Sequence, residues 1–257
     1  MIDFHSHIVY GVDDGSESIE NSIKILKEAE RAGFDKIILT PHYMEDYYEF
    51  PKDEIENRII KLRQVCKEEN INIELYQGNE IYITNNIDEY LRNNIASSLN
   101  DSRYVLFETP MNVEPQNLLE VIYKIKGVGK VPVLAHPERY AYIQKNPNRL
   151  LELIDEGVLL QSNYGSIAGQ YGENAVKTVK KLIKNNFIHF LGSDVHKEGH
   201  IYRQIDDIID ILSKWIEEDK IEELTTSNIE KVINDEEIEI EMPIPIKEGF
   251  FSKIFDK

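Results

Sequence analysis

Short apolar runs alternate with stretches of helical spacing along the whole chain, and this alternation limits the fold more than any other feature of the sequence. Seven apolar runs are each followed by sequence with a helical pattern. Parallel strands need long crossover connections, which helices supply. The order therefore predicts a parallel α/β protein, with a closed barrel as the most economical arrangement. A doubly wound open sheet is the alternative topology.

The predicted elements cover most of the chain. The strands are predicted at 2–7, 36–40, 71–76, 104–107, 131–135, 158–163 and 187–191. The helices are predicted at 18–31, 53–70, 87–93, 118–125, 148–155, 173–184, 203–218 and 227–234. Because no repeat, low-complexity tract or linker interrupts them, residues 1–257 are predicted to form a single domain. No glycine-rich phosphate fingerprint follows the first strand, so a dinucleotide site is not expected.

Composition narrows the class of function. With 29 basic against 47 acidic residues, the formal charge is −18, which argues against nucleic-acid binding and against an anionic membrane surface. The single cysteine, Cys66, excludes an internal disulfide and fits a reducing compartment. The sequence shows no signal-peptide pattern and no apolar run long enough to span a bilayer. These features predict a soluble cytoplasmic protein without a transmembrane segment.

Histidines and acidic residues stand at or just after the carboxyl ends of six predicted strands. They are His5 and His7, His42, Glu80, Glu108, His136, and Asp194 with His196. Side chains two apart on a strand project to one face, and the strand ends of a (β/α) barrel converge on one rim. We therefore expect these residues to meet. His189 lies inside a predicted strand and His200 in a later loop, so both are interpreted as structural.

The predicted group has the composition of a metal centre. Imidazoles mixed with carboxylates, and without thiolates, favour a hydrolytic site for manganese, iron or zinc. The ligands are too many for one ion, and bridging carboxylates make two or three ions the natural count. Paired ions about 3.5–4 Å apart are an arrangement that cleaves phosphoesters.

At this point the motifs resemble a known family, the polymerase and histidinol phosphatase (PHP) superfamily. The matching motifs are His5-x-His7, Asp13-Asp14-Gly15, Thr40-Pro41-His42, Gly78-Asn79-Glu80, Glu108, Ala135-His136-Pro137-Glu138-Arg139 and Ser193-Asp194-x-His196. More narrowly, the chain resembles the manganese-dependent tyrosine-protein phosphatases of bacterial capsule and exopolysaccharide gene clusters. The turn ending Asp13-Asp14-Gly15 and the carboxylate of Glu108 favour that branch, since histidinol phosphatases generally place histidines there. The resemblance runs from Met1 to about Asn234.

The resemblance implies a distorted (β/α)7 barrel, similar to a TIM barrel, that holds three divalent ions, manganese first among them. The implied ligands of the first ion are His5, His7, Glu80 and Asp194. Those of the second are Glu80 as a bridge, Glu108 and His136. Those of the third are Asp14, His42 and His196. Asp13 is the alternative to Asp14, because the sequence does not orient this pair.

The resemblance also implies catalytic and substrate-binding residues. Arg139 matches the family arginine that holds the phosphate, and His42 and His136 join it as catalytic residues. A second family arginine usually follows the last histidine by about five residues, where this chain has Ile201. Arg203 is the nearest arginine and is predicted to bind substrate in its place.

The expected chemistry is hydrolysis of phosphotyrosine by a metal-bridging hydroxide, with the tyrosine phenolate as leaving group. By resemblance, the substrate is a phosphotyrosine protein, namely a bacterial tyrosine kinase that controls capsule or exopolysaccharide synthesis. A histidinol-phosphate or other small-molecule phosphatase is the nearest alternative. A non-catalytic metal-binding regulatory domain is the more distant one. Assembly into a homo-oligomer is a further possibility that the sequence allows.

The end of the chain stands apart in composition. If residues 249–257 are helical, Phe250, Phe251, Ile254 and Phe255 share one face. Such a face is suited to docking on a partner, a second subunit or a membrane surface. The alternative is that it folds back on its own domain.

Overall fold

The computed structural model describes residues 1–199 and 201–247, in which nine strands alternate with eleven α-helices. The strands are β1 Ile2–Asp3, β2 Lys36–Leu39, β3 His42–Tyr43, β4 Glu74–Gln77, β5 Glu80–Tyr82, β6 Tyr104–Glu108, β7 Val131–Ala135, β8 Leu159–Asn163 and β9 Phe190–Gly192. The helices are α1 Ile19–Arg31, α2 Lys52–Glu68, α3 Ile87–Arg92, α4 Leu118–Gly127, α5 Ala141–Lys145, α6 Arg149–Asp155, α7 Tyr164–Ile167, α8 Glu173–Lys184, α9 Ile205–Leu212, α10 Glu218–Glu222 and α11 Asn228–Ile233. His200 and the predicted tail at 249–257 lie outside the described residues.

The strands form two sheets whose pairings are all parallel. One sheet has the order β1-β2-β4, and the other has the order β3-β5-β6-β7-β8-β9. Helical connections join most of the strands that pair in parallel, and the predicted parallel α/β class is confirmed. Closure of both sheets into one seven-stranded barrel stays a prediction.

Two of the predicted strands are each followed by a second short strand that was not predicted. Thr40 and Pro41 separate β2 from β3, and Gly78 and Asn79 separate β4 from β5. Pro41 has no backbone N–H to give to a ladder, which favours a break there. Beyond these breaks, the pairing of β3 with β5 places His42 directly beside Glu80.

The helices follow the apolar pattern where that pattern is long. Helix α1 begins after Ser18, whose side chain accepts a hydrogen bond from the backbone N–H of Asn21, as an N-cap does. The helix predicted at 203–218 is shorter, since α9 ends at Leu212 and α10 begins at Glu218. Helices α5 and α7 were not predicted, because four or five residues are too few to show a period.

A compact apolar cluster lies between the strands, toward their amino ends. Phe4 and Phe190 stack in it with ring centroids 4.3 Å apart, and Ile229 and Val232 of α11 pack into the same cluster. A second, larger core packs the remaining helices against the outer faces of the strands. Apolar packing therefore occupies the amino ends, and the carboxyl ends are left to polar side chains.

Within residues 1–199 and 201–247, none of the helices combines the length and the apolar character needed to cross a lipid bilayer.

Candidate metal centre

The nine predicted metal ligands all lie near the carboxyl ends of the parallel strands. His5, His7 and Asp14 follow β1, His42 begins β3, Glu80 begins β5, Glu108 ends β6, His136 follows β7, and Asp194 and His196 follow β9. The strand ends of such a fold point toward one another, which is why residues far apart in sequence meet here. Within this set, burial decreases from a fully buried inner part to an outer part that reaches solvent.

The inner part of the site contains His5, His7, Glu80 and Asp194. The two imidazoles face each other, with their Nε2 atoms 3.0 Å apart. Glu80 Oε2 lies 3.2 Å from His5 Nε2 and 3.3 Å from His7 Nε2. Asp194 Oδ1 lies 3.7 and 3.4 Å from the same two nitrogens. Both imidazoles therefore lie near two carboxylates, and the donor atoms of His5, His7 and Glu80 are close enough together to hold one ion.

Glu80 also joins this inner part to Glu108 and His136. Its Oε1 atom lies 2.8 Å from His136 Nε2, and Glu108 Oε2 lies 3.8 Å from the same nitrogen. His42 Nδ1 is 3.1 Å from Glu80 Oε2 and 3.3 Å from Glu108 Oε1. Both oxygens of Glu80 thus face imidazoles, on two sides of the carboxylate.

The outer part of the site consists of Asp14, His42 and His196. Asp14 Oδ1 lies 3.6 Å from His42 Nε2 and 3.4 Å from His196 Nε2. The side chain of Asp14 is 54% exposed, whereas that of Glu80 is fully buried. These outer atoms lie close enough together, with a ring nitrogen of His7, to hold one ion.

The structure separates the roles of Asp13 and Asp14. The Asp13 side chain is buried and points inward, where its Oδ2 atom lies 2.7 Å from His7 Nδ1 and accepts a hydrogen bond from the backbone N–H of His42. Its other oxygen accepts from the backbone N–H of Gly15. Asp13 therefore orients His7 from behind, and Asp14 is the residue that faces the outer imidazoles.

Two of these side chains are carried by unusual backbone. His136 and Asp194 have φ values of 35° and 53°, in the left-handed region that few residues other than glycine adopt. Such conformations are costly and persist where the surrounding structure enforces them, often at functional sites. Here they turn both side chains inward just after β7 and β9 end.

The pKa values of the buried side chains depend on the charges that lie beside them. Burial raises the pKa of the Glu108 carboxyl well above its usual range, and the charges of Glu80 and Asp194 raise it further. Burial acts on Glu80 in the same direction, but the imidazoles around it hold its pKa well below the usual range. Burial and the neighbouring charge of His7 lower the pKa of His42 to about 4.

The donor set fits divalent cations. Glu80 Oε2 and His42 Nδ1 are buried and have no hydrogen-bond partner among the described residues, although each lies close to other donor atoms. Two ligand atoms in adjacent octahedral positions, each about 2.1 Å from a metal, are about 3.0 Å apart. The Nε2 atoms of His5 and His7 have this separation. The imidazole and carboxylate donors suit manganese, iron or zinc.

Arg139 lies beside the predicted metal ligands and lines an open cleft. Its Nη1 atom donates to Asp194 Oδ2 at 2.7 Å, and its guanidinium carbon is 4.2 Å from the ring centroid of Tyr171. The cleft has a volume of about 380 Å³, and its walls include His196, Lys197 and other residues that follow β9. An arginine between a carboxylate and an aromatic ring keeps a fixed orientation while part of its donor edge stays free.

Arg203 is the predicted site residue that the structure does not bring into this group. Its guanidinium is paired with Glu28 of α1, and its side chain is 66% exposed. Ile201, at the position where the family usually has its second arginine, is buried and lines the cleft. Arg203 is therefore paired with α1 in this structure, and its contact with substrate stays a prediction.

Sequence reasoning missed the polar residues at the end of β8. Gln161 and Asn163 are fully buried and contact His5 and Asp194, respectively. A pattern of histidines and acids does not include amides, which carry no charge. The available signal was their spacing of two within a strand, which is the same spacing as that of His5 and His7.

Comparison with known proteins agrees with this geometry. A crystal structure from a study of YwqE from Bacillus subtilis and CpsB from Streptococcus pneumoniae, described as unique metal-dependent tyrosine phosphatases, matches with a TM-score of 0.89 and 31% identity. The match covers 96% of this chain and 100% of that one. A histidinol phosphate phosphatase from Lactococcus lactis matches with a TM-score of 0.56 at 17% identity, a likeness of fold alone.

Sequence relatives give the same result. The putative tyrosine-protein phosphatase CapC of Staphylococcus aureus is 36% identical over 196 residues, which is 76% of this chain and 77% of the relative. The tyrosine-protein phosphatase YwqE of Bacillus subtilis is 31% identical over 255 residues, covering 98% of this chain and 100% of YwqE. The capsular polysaccharide synthesis family CpsB/CapC matches residues 1–234. The predicted resemblance is thereby confirmed, and the chain belongs to the CpsB/CapC family.

Proposed function

We propose that this protein is a metal-dependent protein-tyrosine phosphatase that hydrolyses phosphotyrosine and serves capsule or exopolysaccharide synthesis. The observation that carries the proposal is the convergence of five imidazoles and four carboxylates on one site beside Arg139. The similarity to proteins named tyrosine-protein phosphatases supports the reaction. The match to the capsular polysaccharide synthesis family supports the biological setting.

We assign the ions to the three groups described above, with manganese as the expected metal and two to three ions as the expected number. One ion would be held by His5, His7, Glu80 and Asp194. A second would be held by Glu80, Glu108 and His136. A third would be held by Asp14, His42 and His196. When bound, such ions supply a water of lowered pKa and neutralise charge on the phosphate.

The residues of the chain bind and orient the substrate. Arg139 would hold phosphate oxygens through the free part of its guanidinium and stabilise their charge in the transition state. Tyr171 and Asp194 keep that guanidinium in place, on two sides of it. Tyrosine phenolate has a pKa of about 10 and leaves more readily than an alkoxide, so we assign no separate general acid. For Arg203 to contact the phosphate, it would have to leave Glu28.

We further propose that the two sheets close into one distorted seven-stranded barrel within a single domain of residues 1–257. Backbone hydrogen bonds between the sheets support closure. Asp194 N donates to His5 O at 2.8 Å and His7 N to Val195 O at 3.0 Å, which joins the end of β9 to the segment after β1. Thr40 N donates to Ser6 O at 2.8 Å on the other side of that segment. A role of residues 249–257 in docking remains part of the prediction.

The physiological substrate and location are also proposed. By family resemblance, the substrate is a phosphotyrosine on a bacterial tyrosine kinase that regulates polysaccharide synthesis. A cytoplasmic location is proposed from the single free cysteine, Cys66, which is buried. The number of subunits is left open.

The decisive experiment measures turnover of a phosphotyrosine peptide by the purified protein with added manganese. We expect hydrolysis that chelation abolishes and that fresh manganese restores. Histidinol phosphate, assayed in parallel, addresses the small-molecule alternative, which the carboxylates of Asp14 and Glu108 argue against. Preference for histidinol phosphate would overturn the proposal. Manganese binding without turnover of either substrate would favour a regulatory metal-binding domain.

A further inference from the structure

Strand β8 ends in two buried amides where most of the other strands end in imidazoles or carboxylates. Gln161 and Asn163 are both fully buried, and residues two apart on a strand project to the same side. Each touches one residue of the inner site. Gln161 Oε1 lies 3.0 Å from His5 Nδ1, and Asn163 Nδ2 lies 2.6 Å from Asp194 Oδ2.

The direction of the hydrogen bond between Gln161 and His5 follows from a neighbouring backbone carbonyl. Gln161 Nε2 lies 2.7 Å from the carbonyl oxygen of Ser162, which can only accept. The amide nitrogen of Gln161 must therefore face Ser162, and its oxygen must face His5. Because an amide oxygen only accepts, His5 Nδ1 carries the proton. In the neutral imidazole, His5 Nε2 then carries a lone pair directed at the inner site.

Asn163 extends this chain of hydrogen bonds to Asp194. Its Nδ2 donates to Asp194 Oδ2, and its Oδ1 accepts from Gln161 Nε2 at 2.9 Å. Asp194 thus has one oxygen held by Asn163 and Arg139, while its other oxygen lies near the Nε2 atoms of the inner imidazoles. The two amides connect ligand residues that follow different strands, β1 and β9.

Buried hydrogen bonds to Glu138 hold the segment that carries the two amides. The Glu138 carboxylate accepts hydrogen bonds from Ser162 Oγ at 2.7 Å, from Asn163 N at 2.9 Å and from Ser166 Oγ at 2.6 Å. Gly192 lets β9 approach closely, because a Cβ there would lie 2.7 Å from His5 Cβ and 3.0 Å from Gln161 Nε2. Gln161 therefore has little room to move away from His5.

We infer that Gln161 and Asn163 are positioning residues that fix the tautomer of His5 and the orientation of Asp194 for binding of a divalent cation. The inference rests on the metal centre of the proposed function. Partners that hold the second nitrogen of a ligand histidine typically contribute 10–100-fold to metal affinity, in order-of-magnitude terms. Removing the Gln161 amide should therefore weaken metal binding without removing a ligand.

The test is a titration of metal-stripped protein with manganese alone, monitored through the signal of free manganese ions. Gln161→Met keeps the volume of the side chain and removes its acceptor. We expect its manganese affinity to fall by roughly 10–100-fold. Gln77→Met is the matched control, since Gln77 also ends a strand but donates to Lys52 O and Ser97 Oγ, away from the site.

Thermal unfolding separates positioning from general stability. The rise in Tm that manganese causes should shrink for Gln161→Met at a fixed manganese concentration, but not for Gln77→Met. If Gln161→Met does not fold, Asn163→Ala is measured in the same way and should also weaken manganese binding. Manganese affinity within about twofold of the wild type, in whichever variant folds, would overturn the inference. The titration contains no substrate, so failure of wild-type turnover would count against the proposed function alone.

Discussion

Buried histidines lie at both ends of the parallel strands, and their surroundings differ. At the carboxyl ends, His5 and His7 face Glu80, and nearby carboxylates raise the pKa of both imidazoles despite burial, which acts to lower it. At the amino end of β9, His189 is equally enclosed but faces backbone. Its Nδ1 accepts from the N–H of Leu160 at 3.0 Å, and burial lowers its pKa to about 3.

This comparison shows that burial alone does not make a histidine a metal ligand. Both environments exclude water, but the carboxyl-end imidazoles share their space with carboxylates that a cation would balance. His189 has one ring nitrogen committed to a backbone donor and stays neutral. We therefore expect changes to the carboxylates to reduce metal binding and turnover, and changes at the amino ends of the strands to affect stability.

The largest effect is expected from Glu80→Gln. This change keeps the shape of the side chain but removes the charge that faces imidazoles on two sides. We expect manganese binding to be lost and turnover to fall by more than about 100-fold, beyond the range for an indirect partner. Isothermal titration and peptide turnover measure both effects. Glu74→Gln, at an exposed carboxylate that starts β4, is the control, and near-wild-type manganese affinity in Glu80→Gln would contradict the assignment.

A smaller effect is expected from Arg139→Ala. Its guanidinium lies at the edge of the metal-binding group, 23% exposed, and is assigned to the phosphate rather than to an ion. Losing a charge-assisted hydrogen bond worth about 1.5–3 kcal/mol should lower kcat/KM by roughly 10–100-fold. Bound manganese, measured by elemental analysis after dialysis, should remain. Loss of the metal would instead show that Arg139 supports Asp194 and the fold.

Asp14→Asn should have a milder and reversible effect. Asp14 is the exposed member of the outer group, so its loss leaves the inner donors intact. We expect turnover to fall by about tenfold and to recover as manganese is raised, because only the outer ion is weakened. The manganese dependence of turnover measures this. A loss as large and as irreversible as that of Glu80→Gln would remove the distinction between the inner and outer parts of the site.

Much of the fold could be predicted because its signals are local. The strand predicted at 131–135 and the helix predicted at 173–184 match Val131–Ala135 and Glu173–Lys184. Each has a clear apolar pattern bounded by polar residues. The short strands β3 and β5 were missed, because an apolar pattern does not show where the hydrogen bonds of a ladder resume after a break.

The candidate site also has features that the sequence predicts and features that it does not. The convergence of the ligand residues followed from their positions at strand ends, a property of the local pattern and the parallel topology. The distinction between Asp13 and Asp14 depends on the geometry of one turn, and the pairing of Arg203 with Glu28 spans 175 residues. The amides of Gln161 and Asn163 carry no charge or metal preference that marks them in a sequence. Contacts of this kind are visible only in three dimensions.

The smallest effect is expected at the apolar end, from His189→Asn. Asparagine retains an acceptor for the N–H of Leu160 but does not titrate. The folded pKa of His189 is about 3, below the ordinary 6.5, so between these values only the unfolded chain takes up the proton. The stability that neutral His189 provides is complete above pH 6.5 and declines as the pH falls below it. From pH 7.5 to 5.5 the free energy of unfolding of the wild type, measured in urea, should therefore fall by about 1.4 kcal/mol more than that of the variant.

Manganese affinity should be unchanged in His189→Asn, since His189 lies away from the predicted metal ligands. A difference in stability that stays constant with pH would mean that His189 takes up its proton as readily in the folded protein as in the unfolded chain, and the contrast between the two ends of the strands would fail.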